Sequence, residues 1–161
     1  MYDVGAGTGI VAQKLKSRGF CQLEGGDSSE QFVKAAQQKG LYQDIEVRWF
    51  GMGVHRLPAN KLKQFDCVVA SGVWLNGHIP ATGMEDCHAL LRKGGLFITA
   101  MRSQYWVKGQ REGYKDKMNE LVKEGKLERV EVKKFFRGIE NAEAKMFEQM
   151  ECTLIVYRRV K

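Results

Sequence analysis

Proline and histidine are scarce in this sequence, with 2 and 3 residues among 161, and there are only 4 cysteines. Each scarcity excludes something. With so little proline and 43% hydrophobic residues, the chain is neither collagen-like nor low-complexity and disordered. Cys21, Cys67, Cys87 and Cys152 lie far apart and form no C-x-x-C pair, so they do not make the dense framework that staples small secreted domains. They read as buried reduced thiols in a cytoplasmic protein. His55, His78 and His88 never pair at metal-ligand spacing, and the neighbours Cys87 and His88 point in different directions on a helix, so no metal site is expected. No apolar run approaches the ~18 residues of a membrane-spanning helix. Met1-Tyr2-Asp3 opens neither a basic nor an apolar leader, so neither secretion nor membrane insertion is expected.

What the chain does have is the length of one ordinary domain and a basic surplus. The net charge is +7, from 26 Lys and Arg against 19 Asp and Glu. Through Pro80 the balance is 9 basic to 7 acidic, so most of the surplus is C-terminal, where basic residues alternate with acids as in Lys123-Glu124-Gly125-Lys126. That pattern is a solvated helix face more than a nucleic-acid footprint, and leaves a polyanionic partner as the disfavoured reading.

Strand-like and helical segments alternate throughout, which is the α/β signal. Tyr2 to Val4 runs into the glycine cluster Gly5-Ala6-Gly7-Thr8-Gly9, after which Ile10, Val11 and Leu15 suit a short helix. A second strand is expected over Cys21 to Glu24, ending in Gly25-Gly26-Asp27, and a helix capped by Ser28 or Ser29 follows. Further strands fit Ile45 to Phe50 and Phe65 to Ala70, the latter apolar without alternation, as in a central parallel strand covered on both faces. A helix around Met84 to Leu91, a strand over Leu96 to Met101 and a charged helix from Tyr114 to Glu124 come next. Two final strands, near Leu127 to Phe136 and Met150 to Val160, suit an antiparallel pair at one sheet edge.

In an open α/β sheet the ligand crevice lies outside the carboxyl ends of the strands. The glycines at 5, 7 and 9 let the backbone approach a ligand closely, and the helix after Gly9 presents unpaired N–H groups. Asp27 follows the second strand, twenty residues beyond Gly7, where a carboxylate can accept both hydroxyls of a ribose. The combination points to a nucleoside cofactor. Ile10 takes the place of the third glycine of G-x-G-x-x-G, which disfavours a dinucleotide. Asp3, in the pattern D-x-G-x-G-x-G, would oppose a pyrophosphate but suits a cationic ligand bearing a sulfonium and an ammonium.

These residues resemble the class I S-adenosylmethionine-dependent methyltransferases, and more narrowly the Williams-Beuren-region methyltransferase-like family. Asp3 to Gly9 is similar to the first motif of the superfamily, Gly26-Asp27-Ser28-Ser29 to the second-strand motif, Phe65-Asp66-Cys67-Val68 to the fourth, and Leu91 to Phe97 to the approach to the fifth strand. Ser71 to Pro80 carries the narrower resemblance. The resemblance implies a Rossmann-like fold, a mixed seven-stranded sheet in the order 3-2-1-4-5-7-6 with helices on both faces. It implies that Asp3, Gly5, Ala6, Gly7, Thr8 and Gly9 hold the amino-acid part of S-adenosyl-L-methionine, and that Asp27, with Ser28, holds its ribose. The position that commonly carries an adenine-binding acid is Gly53 here, followed by Val54, so the ring edge is left to their backbone N–H groups. Ser71, Gly72 and Val73 should line the cofactor near its methyl donor. Members of the superfamily carry upstream helices that cover the cofactor, and the few residues before Gly5 imply an N-terminally truncated domain over residues 1–161.

Methyl transfer from a sulfonium is an in-line displacement that needs alignment and exclusion of water but no obligatory base. Trp74 and His78, after the fourth strand, and Arg102, Tyr105 and Trp106, after the fifth, are the substrate-side candidates. His78 is the catalytic candidate, since imidazole titrates near neutrality; a plain loop histidine is the competing reading. The functions in contention are methyl transfer to a small-molecule or unidentified acceptor, cofactor binding without activity, and, disfavoured by Ile10 and Asp3, nicotinamide-dependent oxidoreduction.

Overall fold

The computed structural model describes residues 1–141 and 146–161. Five strands alternate with three helices: β1 (Tyr2–Val4), α1 (Ile10–Lys16), β2 (Glu24–Asp27), α2 (Glu30–Gln38), β3 (Asp44–Val47), β4 (Phe65–Ser71), α3 (Gly83–Leu90) and β5 (Leu91–Arg102). Then come α4 (Tyr114–Lys123) and a long hairpin, β6 (Leu127–Asn141) and β7 (Met146–Arg159). The sheet has seven strands in the order β3-β2-β1-β4-β5-β7-β6. The first five run parallel, and β7 lies antiparallel to both β5 and β6. This is the mixed sheet implied by the resemblance, with the antiparallel edge pair where the final two strands were expected.

The apolar patterning explains the layers. In β1, Tyr2 and Val4 face the large core cluster, which also takes Phe65, Val68, Phe97, Met118 and Ile155. Asp3 points to the opposite face by strand alternation, beside a smaller cluster of Ala6, Val33, Ala36 and Ile45 with Tyr42. α3 and α4 bring Met84, Cys87, Tyr114 and Leu121 onto the large cluster. Burying one such side chain is worth about 1.5–3 kcal/mol, so this cluster is the chief apolar contribution to stability.

Several strand boundaries differ from the sequence reading; β3, for one, ends at Val47, short of the expected Phe50. β2 spans Glu24–Asp27 instead of Cys21 to Glu24, pairing Asp3 with Gly25 and Val4 with Gly26. Local propensity disfavours glycine in a strand, but here packing overrides it: a Cβ at Gly25 would lie 3.1 Å from the Tyr42 ring, and one at Gly26 would lie 2.9 Å from the Tyr2 hydroxyl. β5 begins at Leu91, five residues before the expected start, because Leu91 already pairs with Phe65 ahead of a bulge in the ladder. Residues 137–141 and 146–149, expected to lie between the last two strands, instead extend β6 and β7; the rest of that connection lies outside the described residues.

Candidate active site

A cavity of about 850 Å³ opens at the carboxyl ends of the parallel strands. Its floor is the turn after β1. Gly5 has φ +69° and sits so close to the next crossover that a Cβ there would lie 2.3 Å from Cγ1 of Val73, so glycine is required both by the turn and by this approach. The N–H of Gly7 donates to Oδ2 of Asp27 at 2.8 Å, and the N–H of Ser29 donates to Oδ1 at 2.9 Å. One carboxylate therefore joins the glycine turn to the start of α2, which Ser29 caps by accepting the Phe32 N–H at 3.3 Å.

Gly5, Ala6, Gly7, Thr8, Asp27 and Ser28 all line the cavity. So do Ser71, Gly72 and Val73 after β4, and His78 beyond them. Asp3 and Gly9 stand just outside it. Asp3 is buried; its Oδ2 accepts the Tyr42 hydroxyl at 2.7 Å, while Oδ1 is buried with no partner among the described residues. Burial is the main cause that raises its carboxyl to about 6, against the opposing Tyr42 hydrogen bond and with Asp27 adding to the rise. Gly9 is the left-handed N-cap of α1, packed against Leu41.

Other expectations are corrected. Gly53 and Val54 do not line the cavity; Gly53 faces the ring of His55 instead, and the wall beyond β3 is made by Arg48, Trp49, Phe50 and Met52. Trp74 is a core residue. It is fully buried, packed edge-on against Phe97 and Tyr114, with its indole N–H donating to the Thr99 hydroxyl at 2.7 Å. Trp106 is buried in the same cluster and Tyr105 packs on it, while Arg102 ends β5 opposite Cys152; none of the three reaches the cavity. Of the substrate-side candidates only His78 does.

The lining also includes residues that sequence reasoning passed over. Ile10 and Phe32 carried a detectable signal, since each stands at a helix start facing a glycine or acid motif. Arg137, which reaches the cavity from β6, had none: its place depends on how far the terminal hairpin extends. Among the described residues no His, Cys, Asp or Glu side chains converge as a metal site. Cys67 and Cys87 are buried and desolvation pushes their thiols up, Cys67 to about 11, which makes them poor nucleophiles.

A family model described as a methyltransferase domain matches residues 1–95. The chain belongs to this methyltransferase-domain family. Among curated relatives, the human methyltransferase-like protein 27 is 35% identical over 101 residues, which is 63% of this chain and 40% of that protein. The ubiquinone biosynthesis O-methyltransferase of Bordetella pertussis is 30% identical over 103 residues, 63% of this chain and 42% of the relative. The chain thus matches well under half the length of either. A solved SAM-dependent methyltransferase from Methanosarcina mazei superposes with a TM-score of 0.69 at 15% identity, covering 99% of this chain and 91% of that one. A [4+2]-cyclase superposes with a TM-score of 0.64 at 17% identity, over 99% of this methyltransferase-family chain and 74% of the cyclase. The fold alone therefore does not fix the reaction.

Proposed function

We propose that residues 1–161 act as one domain that binds S-adenosyl-L-methionine in the large cavity and transfers its methyl group to a small-molecule acceptor. The observation that carries this reading is the bond from the Gly7 N–H to Asp27, which holds the glycine turn and the end of β2 together on one cavity wall. The donor and acceptor set fits the cofactor. Each Asp27 oxygen accepts one backbone N–H and keeps a lone pair, enough for the two hydroxyls of a ribose. Asp3, two residues before Gly5, has a buried oxygen without a partner among the described residues, and its ionised form attracts a ligand with sulfonium and ammonium charges. Phe32, Phe50 and Met52 give the apolar wall that a purine needs. Ile10, on the wall at the head of α1, takes the space where a dinucleotide's pyrophosphate would meet the helix.

When bound, the cofactor supplies an electrophilic methyl carbon on a positively charged sulfur. The residues of the chain align an acceptor behind that carbon and keep water out. His78 is placed on the cavity wall to take a proton, if one must leave. Four free cysteines suit a reducing, cytoplasmic setting, and no helix among the described residues is long and apolar enough to cross a membrane.

A second reading, binding without transfer, is favoured by one observation: Ile10, Phe32, Trp49 and Met52 at the cavity wall are exposed apolar side chains that no described residue covers. Calorimetric titration with S-adenosylhomocysteine and with NADH tests the cofactor. Binding of NADH in place of S-adenosylhomocysteine overturns the proposal. Incorporation of a labelled methyl group into a metabolite mixture separates transfer from binding alone.

A further inference from the structure

β6 lies at the edge of the sheet, bonded to β7 on one side only. Folded proteins commonly keep such strands short, bulged or covered, because a row of free N–H and C=O groups is a template for another strand. This one runs from Leu127 to Asn141 without a proline. Its register shifts at Val130, between Arg129 and Glu131, and from residue 131 to 137 the ladder runs regularly opposite Val156 to Met150. Every side chain from 131 to 137 is exposed. Three of them, Val132, Phe135 and Phe136, are large and apolar, with Phe136 at 65% exposure. Val132 pairs with Ile155, so by strand alternation Val132, Lys134 and Phe136 share the Ile155 face, and Glu131, Lys133, Phe135 and Arg137 share the other.

The stretch from 131 to 137 is complementary to its own reverse. Opposite pairs alternate in type along an antiparallel ladder, so a two-fold axis between two copies passes where one residue meets itself. With Lys134 on the axis, Glu131 stands opposite Arg137, Val132 opposite Phe136 and Lys133 opposite Phe135, each pair occurring twice and within one face. These are an ion pair, an apolar pair and a cation beside an aromatic ring, combinations that stabilise sheets across strands. The like charge on the axis is met inside each chain, since Lys134 is bound to Glu151 of β7 at 3.0 Å. Neighbouring registers lack the match. An axis at Lys133 leaves Glu131 opposite Phe135, one at Phe135 sets Lys133 against Arg137, and one at Phe136 sets no acid opposite a base. An axis at Val132 carries the ladder into the bulge at Val130.

We propose that the partner of this edge is a second copy of the chain, the two β6 strands pairing antiparallel about Lys134 so that the two sheets join into one. The pairing covers Val132 and Phe136 of both copies, satisfies the outward backbone groups of residues 131 to 137, and needs no ligand. Arg137 lines the large cavity, so Glu131 of the second copy meets a charge at the wall of that cavity.

Sedimentation velocity over a range of protein concentrations tests this. The chain should dimerise, and less tightly as salt is raised, since exposed charges are screened. Glu131→Arg and Arg137→Glu each set like charges opposite one another at two places and should each weaken the dimer roughly 10- to 100-fold, whereas the double variant restores both pairs in reverse order and should recover most of the affinity. These side chains are exposed, so thermal unfolding should change little; should a charge variant fail to fold, Phe136→Lys, opposite Val132, gives a second break. A thiol on the axis reads the register directly. In a Cys21→Ser background, which removes the exposed native thiol, Lys134→Cys should link to its own copy under oxidised glutathione, because residues meeting across a ladder lie within disulfide reach, and Lys133→Cys should not. A chain that stays monomeric, a dimer that the single reversals leave unchanged, a double variant no tighter than the singles, or a thiol at 133 that links as readily as one at 134 would each overturn the proposal.

Discussion

The carboxylate of Asp86 accepts the backbone N–H of Gly51 at 2.6 Å, joining α3 to the loop after β3 across 35 residues of sequence. The Thr82 hydroxyl donates to the carbonyl oxygen of the same Gly51 at 2.9 Å, so both peptide groups flanking this residue's Cα are held by the α3 end of the chain. Phe50 and Met52, on either side of Gly51, both line the large cavity. Asp86 is buried, and desolvation raises its carboxyl while the Gly51 N–H lowers it. Its job is to hold the apolar cavity wall. Asp86→Ala should destabilise the protein by about 1–3 kcal/mol, the cost of a buried donor left unpaired, and should weaken S-adenosylhomocysteine as the wall loosens. Asp86→Asn, which keeps an acceptor oxygen, should lose much less. Urea unfolding and calorimetry on the two variants check this; an alanine variant that unfolds like the parent would show that the contact is inconsequential.

Asp27 has two tasks in one carboxylate, holding the Gly7 and Ser29 N–H groups and facing the ribose. Asp27→Ala should weaken S-adenosylhomocysteine roughly 10- to 100-fold, since a hydrogen bond to a charged group is worth about 1.5–3 kcal/mol. Because the glycine turn also loses its tie, the melting temperature should drop as well. Calorimetry and thermal unfolding on one preparation read both effects. Full affinity in a folded variant would take Asp27 out of the site.

The pattern of what was legible follows the range of the interactions. The glycine turn and Asp27 lie in one strand–helix–strand unit, where spacing along the chain sets spacing in the fold, and the seven-strand order came with the resemblance those residues carry. Trp74 shows where the reasoning failed. An aromatic residue just past a strand end reads as a pocket wall, but its partners Thr99, Phe97 and Tyr114 come from β5 and α4, and nothing near Trp74 in the chain announces them. The neighbourhood of Glu112 and His78, which line one cavity, was missed for a related reason: it depends on Tyr114 tying α4 to the loop after β4. Gly53 was placed by the resemblance, whereas the observed path puts Phe50 and Met52 on the cavity and leaves Gly53 against His55.

Asp3 should give stability and cofactor affinity opposite pH trends. Burial raises its carboxyl to about 6 in the native protein, against about 4 in an unfolded chain. Between those values the native state holds a proton that the unfolded state has lost, so this group's contribution is fully present below about pH 4 and is lost as pH rises through about 6. The loss is on the order of 3 kcal/mol. Asp3→Asn cannot ionise, so its stability relative to the parent should increase from pH 4 to pH 7. Over the same interval the parent's preference for the cationic S-adenosylmethionine over the uncharged-sulfur S-adenosylhomocysteine should grow, and the variant's should stay flat. Denaturant titrations at a series of pH values check the first trend and competition binding the second; a stability difference independent of pH would mean that Asp3 is not protonated in the native state.

Trp49 offers a direct report on the cavity. Of the three tryptophans, Trp74 and Trp106 are 1% and 8% exposed, whereas Trp49 is 66% exposed and lines the large cavity beside Phe50. The long-wavelength part of the intrinsic fluorescence should therefore come from Trp49 alone. A purine seated against Phe50 and Met52 would displace water from the indole and stack within its reach, so saturation with S-adenosylhomocysteine should quench this emission and move it to shorter wavelength. Trp49→Phe should abolish the response while leaving most of the affinity, because the replacement keeps an apolar ring at the same place. A fluorescence change that survives in Trp49→Phe would have to arise at Trp74 or Trp106, inside the large core cluster, and would show that the ligand acts on the α3–α4 side of the sheet and not at the end of β3.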